Sequence, residues 1–401
     1  MVEQKREAAS PGGGPDLIAG IAAAVACRIL LNTARRFLYP FAPVLSRGLG
    51  VPLTAITSLI AVNQATGIMG PLFGPLADRW GYRRMLVAGM GILAVGMLAG
   101  GILPLYGIVV LSLFMAGLGK NIFDPAIQAY AGTRVPFHRR GAVIGIMETS
   151  WAGSTLIGIP LIGFLMEAEG WRSPFFALGS LSLVGMVLIA RLIPRDPTGR
   201  GRSGPPLTVW QAWRMLGGER AALGLMGFAF FVSAANDNFF VVYGAWLESA
   251  FGLSIVTLGV TAMVIGVGEL LGEGITATLS DRLGLRRSAT IGLVLSGISY
   301  GVLPSMGGTL PMALVSLFVV FLTVEFAIVT ALSLSTEVLP GARATMMSGY
   351  VGAAGLGRIF GALSGGPVWL LGGIDAIAVV SVVLTGMALL CLRLGLRGWP
   401  R

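Results

Sequence analysis

The 401-residue sequence predicts an all-α membrane protein, with twelve transmembrane helices in two six-helix, pseudo-symmetric halves. Three observations predict it. Charged residues make up only 11% of the chain against 55% hydrophobic, with a mean hydropathy of +0.83, so there are too few charges to cover a water-facing surface. Apolar stretches recur that are long enough, at about 1.5 Å per residue, to cross about 30 Å of hydrocarbon. A charged heptapeptide also occurs twice.

The apolar stretches fall near 17–45, 54–76, 85–104, 107–131, 141–166, 173–194, 221–247, 255–279, 288–306, 310–335, 344–368 and 375–395. Residues 1–16, MVEQKREAASPGGGPD, read as a polar cytoplasmic tail with no cleavable signal pattern. The one long connection, 195–220, is rich in Arg, Gly and Pro and separates a half at 17–194 from a half at 221–401. Within it, Val209–Met215 carries Trp210 and Trp213 and has the composition of a short interfacial helix. Sixty glycines suit helices that pack closely where no hydrophobic effect drives them together.

The net charge of +10 raises the question of nucleic acid, but its placement points elsewhere. Of 28 basic residues, 21 fall in the two tails, in every second loop or, as Arg191 and Arg393 do, at the span ends beside them, and only Arg47 and Arg172 in the alternate loops. That is the positive-inside bias, and it predicts a multi-pass protein with both termini cytoplasmic; a bacterial cytoplasmic membrane is the expected location. Cys27 and Cys391 stand apart in apolar runs, with neither disulfide nor metal spacing, and no cofactor is expected. The single histidine, His138, falls in a basic loop, so neither a histidine relay within the membrane nor an intramembrane enzyme has the residues it needs.

Asp78-Arg79-Trp80-Gly81-Tyr82-Arg83-Arg84 recurs 203 residues later as Asp281-Arg282-Leu283-Gly284-Leu285-Arg286-Arg287. Pro136 and Arg140 are answered by Pro340 and Arg343, and Asn32, Tyr39 and Gly48 by Asn236, Tyr243 and Gly252, at offsets of 203 or 204. Three separate regions sharing one offset mark a structural repeat, related by an axis along the membrane normal.

Gly74-Pro75-Leu76-Ala77 leading into the first heptapeptide resembles the signature loop of the major facilitator superfamily, between spans 2 and 3, and the second copy sits between spans 8 and 9. The resemblance implies a secondary transporter working by alternating access, usually as a monomer. It also implies a cytoplasmic gate formed by Gly74, Asp78, Arg79, Gly81, Arg83, Arg84, Asp281, Arg282, Arg286 and Arg287. Spans 1, 4, 7 and 10 would line the cavity, and spans 2, 5, 8 and 11 would gate it. Gly153, Gly158, Pro160 and Gly163 in span 5, and Gly357, Gly361, Gly365, Gly366 and Pro367 in span 11, are similar to the glycine-rich gating spans of the family's antiporters. Close helix packing accounts for both runs equally well. Lys120 stands where that branch carries a span-4 arginine.

A charge at bilayer depth costs about 2.5–3.5 kcal/mol on the insertion scale, so each needs a partner or a cavity. Eleven such residues are present: Arg28, Arg35, Arg36, Lys120, Asp124 and Glu148, then Asp237, Glu269, Glu273, Glu325 and Arg358. Seven fall on the cavity spans of the resembled fold and four on its gating spans. Arg28, Asn32, Arg35 and Tyr39 share one helical face, with Arg36 beside it. Lys120 and Asp124, four apart, are placed to pair. With Trp151, Asn236, Asn238, Glu325 and Arg358 they form the expected substrate cavity, and Trp151 and Phe239 offer aromatic faces. Proton carriage is expected first of Asp237, flanked by two asparagines, then of Glu325, Glu269 and Glu148. For each of these carboxylates a structural ion pair is the competing role.

The expected function is proton-coupled export of an amphipathic organic compound. Proton-coupled uptake of an organic anion and translocation of a lipid or glycolipid are the alternatives. The partners are then a small-molecule substrate, protons and membrane lipids.

Overall fold

The computed structural model describes residues 15–69, 73, 76–77, 80–135, 137–194, 214, 216–339 and 343–399, and among these every regular element is helical. Pro15–Arg36 (α1) and Leu38–Leu49 (α2) form a broken first span. Pro40 and Pro43 remove two backbone donors just past the break at Phe37, which is where a helix yields. Leu53–Ala65 (α3) continues as a 3₁₀ turn, Thr66–Met69. Tyr82–Ile102 (α4) and Tyr106–Arg134 (α5) follow, and then Phe137–Gly153 (α6). A π-helical turn at Ser154–Gly158 joins α6 to Ile159–Glu169 (α7), next to Pro160, whose ring nitrogen has no proton to give. Ser173–Leu192 (α8) ends the N-terminal helices.

The C-terminal helices open with Arg220–Phe240 (α9) and Tyr243–Phe251 (α10), again one span broken in two. Ile255–Leu283 (α11), Leu285–Met306 (α12) and Leu310–Val338 (α13) are continuous. The last element, Arg343–Gly395 (α14), loses helical geometry at Gly372 and Gly373. Ideal Cβ positions on Gly357, Gly361 and Gly365 would meet Phe230, Ala234 and Asn238, so its first limb runs parallel to α9. Its second limb runs back, with Ser381 against Ala235 and Gly395 against Gly224. The chain therefore reverses at Gly372–Gly373, and α14 is the expected spans 11 and 12 joined by a tight turn.

Among the described residues, ten helices are long and apolar enough to cross a membrane. Splitting α14 and adding the shorter Leu53–Met69 is consistent with the twelve expected spans. Leu371 at 86% exposed, Leu370 at 68% and Val379 at 63% show how apolar the outer surface is, as lipid requires. The interfacial helix expected at 209–215 lies, except for Arg214, outside the described residues.

The backbone repeats as the sequence does. Gly50, Gly81 and Gly170 adopt φ of 65°, 88° and 84°, and Gly252, Gly284 and Gly373 adopt 61°, 84° and 57°. These are turn conformations open chiefly to glycine. The breaks at Phe37 and at Val241–Val242 also correspond.

Contacts between N- and C-terminal helices concentrate at one end of the bundle. There α2 meets α10, α7 meets α11, and α3 meets α14. A Cβ on Gly244 would lie 2.3 Å from the carbonyl oxygen of Pro40, so these backbones touch and no larger residue fits. Arg47 and Glu248 close the rim with two hydrogen bonds of 3.0 and 2.7 Å. Farther from that end α6 and α11 share few contacts, and Glu148 leaves 47% of its side chain exposed.

Candidate functional site

The charged residues gather in the middle of the bundle in three groups. In the first, Arg28 of α1 donates from Nε to Asp124 Oδ1 at 2.9 Å and from Nη1 and Nη2 to Glu148 at 3.0 and 3.3 Å. Nη1 also reaches the Met147 carbonyl at 2.8 Å. Lys120 Nζ donates to Asp124 Oδ2 at 2.6 Å, so this one carboxylate on α5 holds two cations. The expected pairing of Lys120 with Asp124 is present, inside a larger cluster. One turn along α1, Asn32 Nδ2 reaches Ser150 Oγ at 3.3 Å.

The second group crosses between the N- and C-terminal helices. Arg36 donates from both terminal nitrogens to Glu269 of α11, at 3.0 and 2.7 Å, and both residues are buried. A two-pronged guanidinium–carboxylate pair fixes orientation as well as charge. The Arg36 guanidinium also lies 4.4 Å from the centre of the Trp151 ring and 5.5 Å from that of Phe240. Lys120 Nζ stands 5.8 Å from Trp151, so the indole lies between two cations of the site.

The third group is a hydrogen-bonded chain. Arg35 donates to Gln64 Oε1, Gln64 Nε2 donates to the Tyr39 hydroxyl at 2.6 Å, and Tyr39 donates to Asp237 Oδ1 at 2.9 Å. Tyr39 stacks on Phe240 with ring centres 4.0 Å apart. Gln64, Tyr39 and Asp237 are all buried. Asp237 forms no ion pair within 4 Å among the described residues, nor do Arg35, Arg358, Glu273 and Glu325. Arg35, Arg36 and Arg358 lie within electrostatic reach of Asp237, and Glu269, Glu273, Arg358 and Arg36 within reach of Glu325.

The remaining expected residues are distributed as follows. Asn238 spends its amide on Ser381 Oγ at 3.1 Å and accepts from Ser364, so it ties α9 to the two limbs of α14. Asn236 is half-buried, with Oδ1 unpartnered among the described residues. Phe239 is buried against Trp246, Tyr300 and Phe321, within the packing of the C-terminal helices. Of the expected gate, Gly74, Asp78, Arg79 and the Asp281 side chain lie outside the described residues. Gly81 and Gly284 make the turns described above, with Arg83 half-buried and Arg84, Arg282, Arg286 and Arg287 exposed beside them. Gln64, Ser150 and the Arg47–Glu248 pair were not anticipated. For Gln64 the signal is in the sequence, since Asn63 and Gln64 stand side by side within an apolar stretch.

An all-helical bundle of membrane-spanning length, with a charged interior reaching across its seam, is the scaffold of a membrane transporter. The chain belongs to the Major Facilitator Superfamily, whose model matches residues 24–234 and 225–398. It is 26% identical over 363 residues to the inner membrane transport protein YdhP of Escherichia coli (strain K12), covering 89% of this chain and 91% of that one. To a chloramphenicol resistance protein of Streptomyces lividans it is 25% identical over 366 residues, covering 87% and 92%. Among solved structures, a bacterial homolog of the human lysosomal transporter Spinster, inward-facing and unoccupied, matches with a TM-score of 0.77. That match covers 96% of this chain and 98% of that one at 17% identity.

Proposed function

We propose that the protein is a proton-coupled exporter of amphipathic organic compounds, working by alternating access between two six-helix halves in a bacterial cytoplasmic membrane with both termini cytoplasmic. Asp237 carries this reading. It is a buried carboxylate at the seam that, among the described residues, forms no ion pair and is hydrogen-bonded only to a tyrosine of the opposite half. An ion-paired carboxylate is committed to its cation, whereas one held by a neutral hydroxyl is free to exchange a proton. Arg28, Lys120, Asp124 and Glu148 then form a self-neutralised wall of the cavity, and Trp151 offers an aromatic face to the substrate. With the termini cytoplasmic, the sealed end faces outward and the cavity opens inward. Similarity to a resistance protein supports export.

A second reading, uptake of an organic anion, draws on Arg35 and Arg358, two cations from opposite halves without a carboxylate within 4 Å among the described residues. Proteoliposomes with an acid interior and a pH-sensitive dye separate the two. Ethidium, chloramphenicol and benzoate serve as cationic, neutral and anionic probes. Dissipation by ethidium or chloramphenicol, lost in Asp237→Asn, is the expected result. Benzoate accumulation driven by an inward proton gradient, with no dissipation by any probe, would establish the second reading instead.

A further inference from the structure

We propose that Gln64 is a positioning residue for proton exchange: it fixes the direction of the hydrogen-bond chain so that the only hydroxyl proton of Tyr39 points at Asp237 whenever the outer end is closed. The inference rests on the reading of Asp237 as the proton carrier. It follows from donor and acceptor inventories. A guanidinium has five N–H donors and no acceptor, so whatever faces Arg35 must accept. Gln64 therefore presents Oε1 to Arg35, and its amide nitrogen is left to face Tyr39. An amide nitrogen only donates, so the Tyr39 oxygen accepts from it and the tyrosine O–H turns to Asp237 Oδ1. Each step leaves one arrangement, and the burial of Gln64, Tyr39 and Asp237 keeps water from offering another between them.

The chain also crosses the seam. Arg35, Tyr39 and Gln64 belong to α1–α3, and Asp237 to α9. It lies beside the closed end, where Gly244 touches Pro40. When the outer end opens, Tyr39 and Asp237 part, and the carboxylate loses a hydrogen bond that favours its ionised form. Asp237 then takes a proton from outside water. When the end closes, Gln64 and Tyr39 re-form the chain, and the proton leaves through the inward cavity. Substrate export coupled to proton entry needs this alternation. Among the described residues, the other charged or titratable groups within electrostatic reach of Asp237 are Arg35, Arg36 and Arg358, with Tyr300 on α12. Tyr300 has no hydrogen-bond partner among the described residues, so Tyr39 is the neutral group that switches.

Infrared difference spectroscopy of the intact protein in nanodiscs tests this without a substrate. The carboxyl C=O band that disappears in Asp237→Asn reports protonation at that residue. Gln64→Leu and Tyr39→Phe are each expected to move its midpoint upward by about one pH unit, a tenfold change in proton affinity. The double variant should move it no farther than Tyr39→Phe alone, because both residues act through one chain. Gln64→Met keeps the length of the side chain and adds no charge, but cannot donate to Tyr39. It should also raise the midpoint, and it serves where Gln64→Leu does not fold. A midpoint moved by Tyr39→Phe but not by either Gln64 variant overturns the role of Gln64 and leaves Asp237 as the carrier. No titrating Asp237 band between about pH 4 and 9, a range that spans the usual perturbed carboxylates, overturns both.

Discussion

Arg36 and Glu269 meet across the seam of the bundle in a buried two-pronged ion pair, with the Trp151 ring 4.4 Å from the guanidinium. Removing one partner of a buried pair strands the other in low dielectric, at about 3–5 kcal/mol. Arg36→Ala and Glu269→Ala are each expected to destabilise the protein by about that much in reversible unfolding from detergent micelles. The double variant should recover part of the loss, because no charge is left stranded. Arg36→Lys keeps the charge but not the fork, and should fall between wild type and Arg36→Ala.

The outer rim makes a contrasting case. Arg47 leaves 61% of its side chain exposed, so its pair with Glu248 is screened by water and salt. Arg47→Ala is expected to change stability by less than about 1 kcal/mol, and by still less at high ionic strength. The same unfolding assay at two salt concentrations checks both statements.

Asp124 serves two cations, Arg28 and Lys120, where a pairwise reading gives it one. Asp124→Asn should therefore cost more than Lys120→Met, which leaves Arg28 with both carboxylates. The expected ordering is about 3–5 kcal/mol against less than about 2 kcal/mol, read from unfolding midpoints. Equal losses would show that Arg28 is neutralised by Glu148 alone.

Much of this was legible in the sequence. The offset of 203 between the two signature loops reappears as paired positive φ at Gly81 and Gly284, and Lys120–Asp124 follows from helical spacing. The partners on neighbouring helices were not legible. Arg28, Asn32, Arg35 and Tyr39 form one stripe on a helical wheel, yet they face Asp124, Ser150, Gln64 and Asp237 on four different helices. Helical periodicity gives the direction of a side chain from its own axis. The neighbour it meets depends on the height and rotation of the next helix, and those are set by backbone contacts such as Gly244 on Pro40. Asn238 illustrates the same limit, since its neighbour Asp237 faces the seam while its own amide binds α14.

That contact gives its own prediction. Any side chain at Gly244 must push α10 away from Pro40, because its Cβ would lie 2.3 Å from the carbonyl oxygen. Gly244→Ala should shift the population toward an open outer end. A shift of about 1.4 kcal/mol would raise the maleimide reactivity of Thr57→Cys, now at a buried position, about tenfold. Unchanged reactivity would mean that the closed end absorbs the methyl group without opening.

The most direct test compares two fluxes in the same proteoliposomes, using whichever of ethidium, chloramphenicol or benzoate responds in the wild type. Asp237→Asn should retain exchange of labelled for unlabelled probe, which moves no net protons, and should lose accumulation driven by a proton gradient. Gradient-driven accumulation surviving in Asp237→Asn, at the wild-type pH dependence, would contradict the assignment of proton coupling to Asp237.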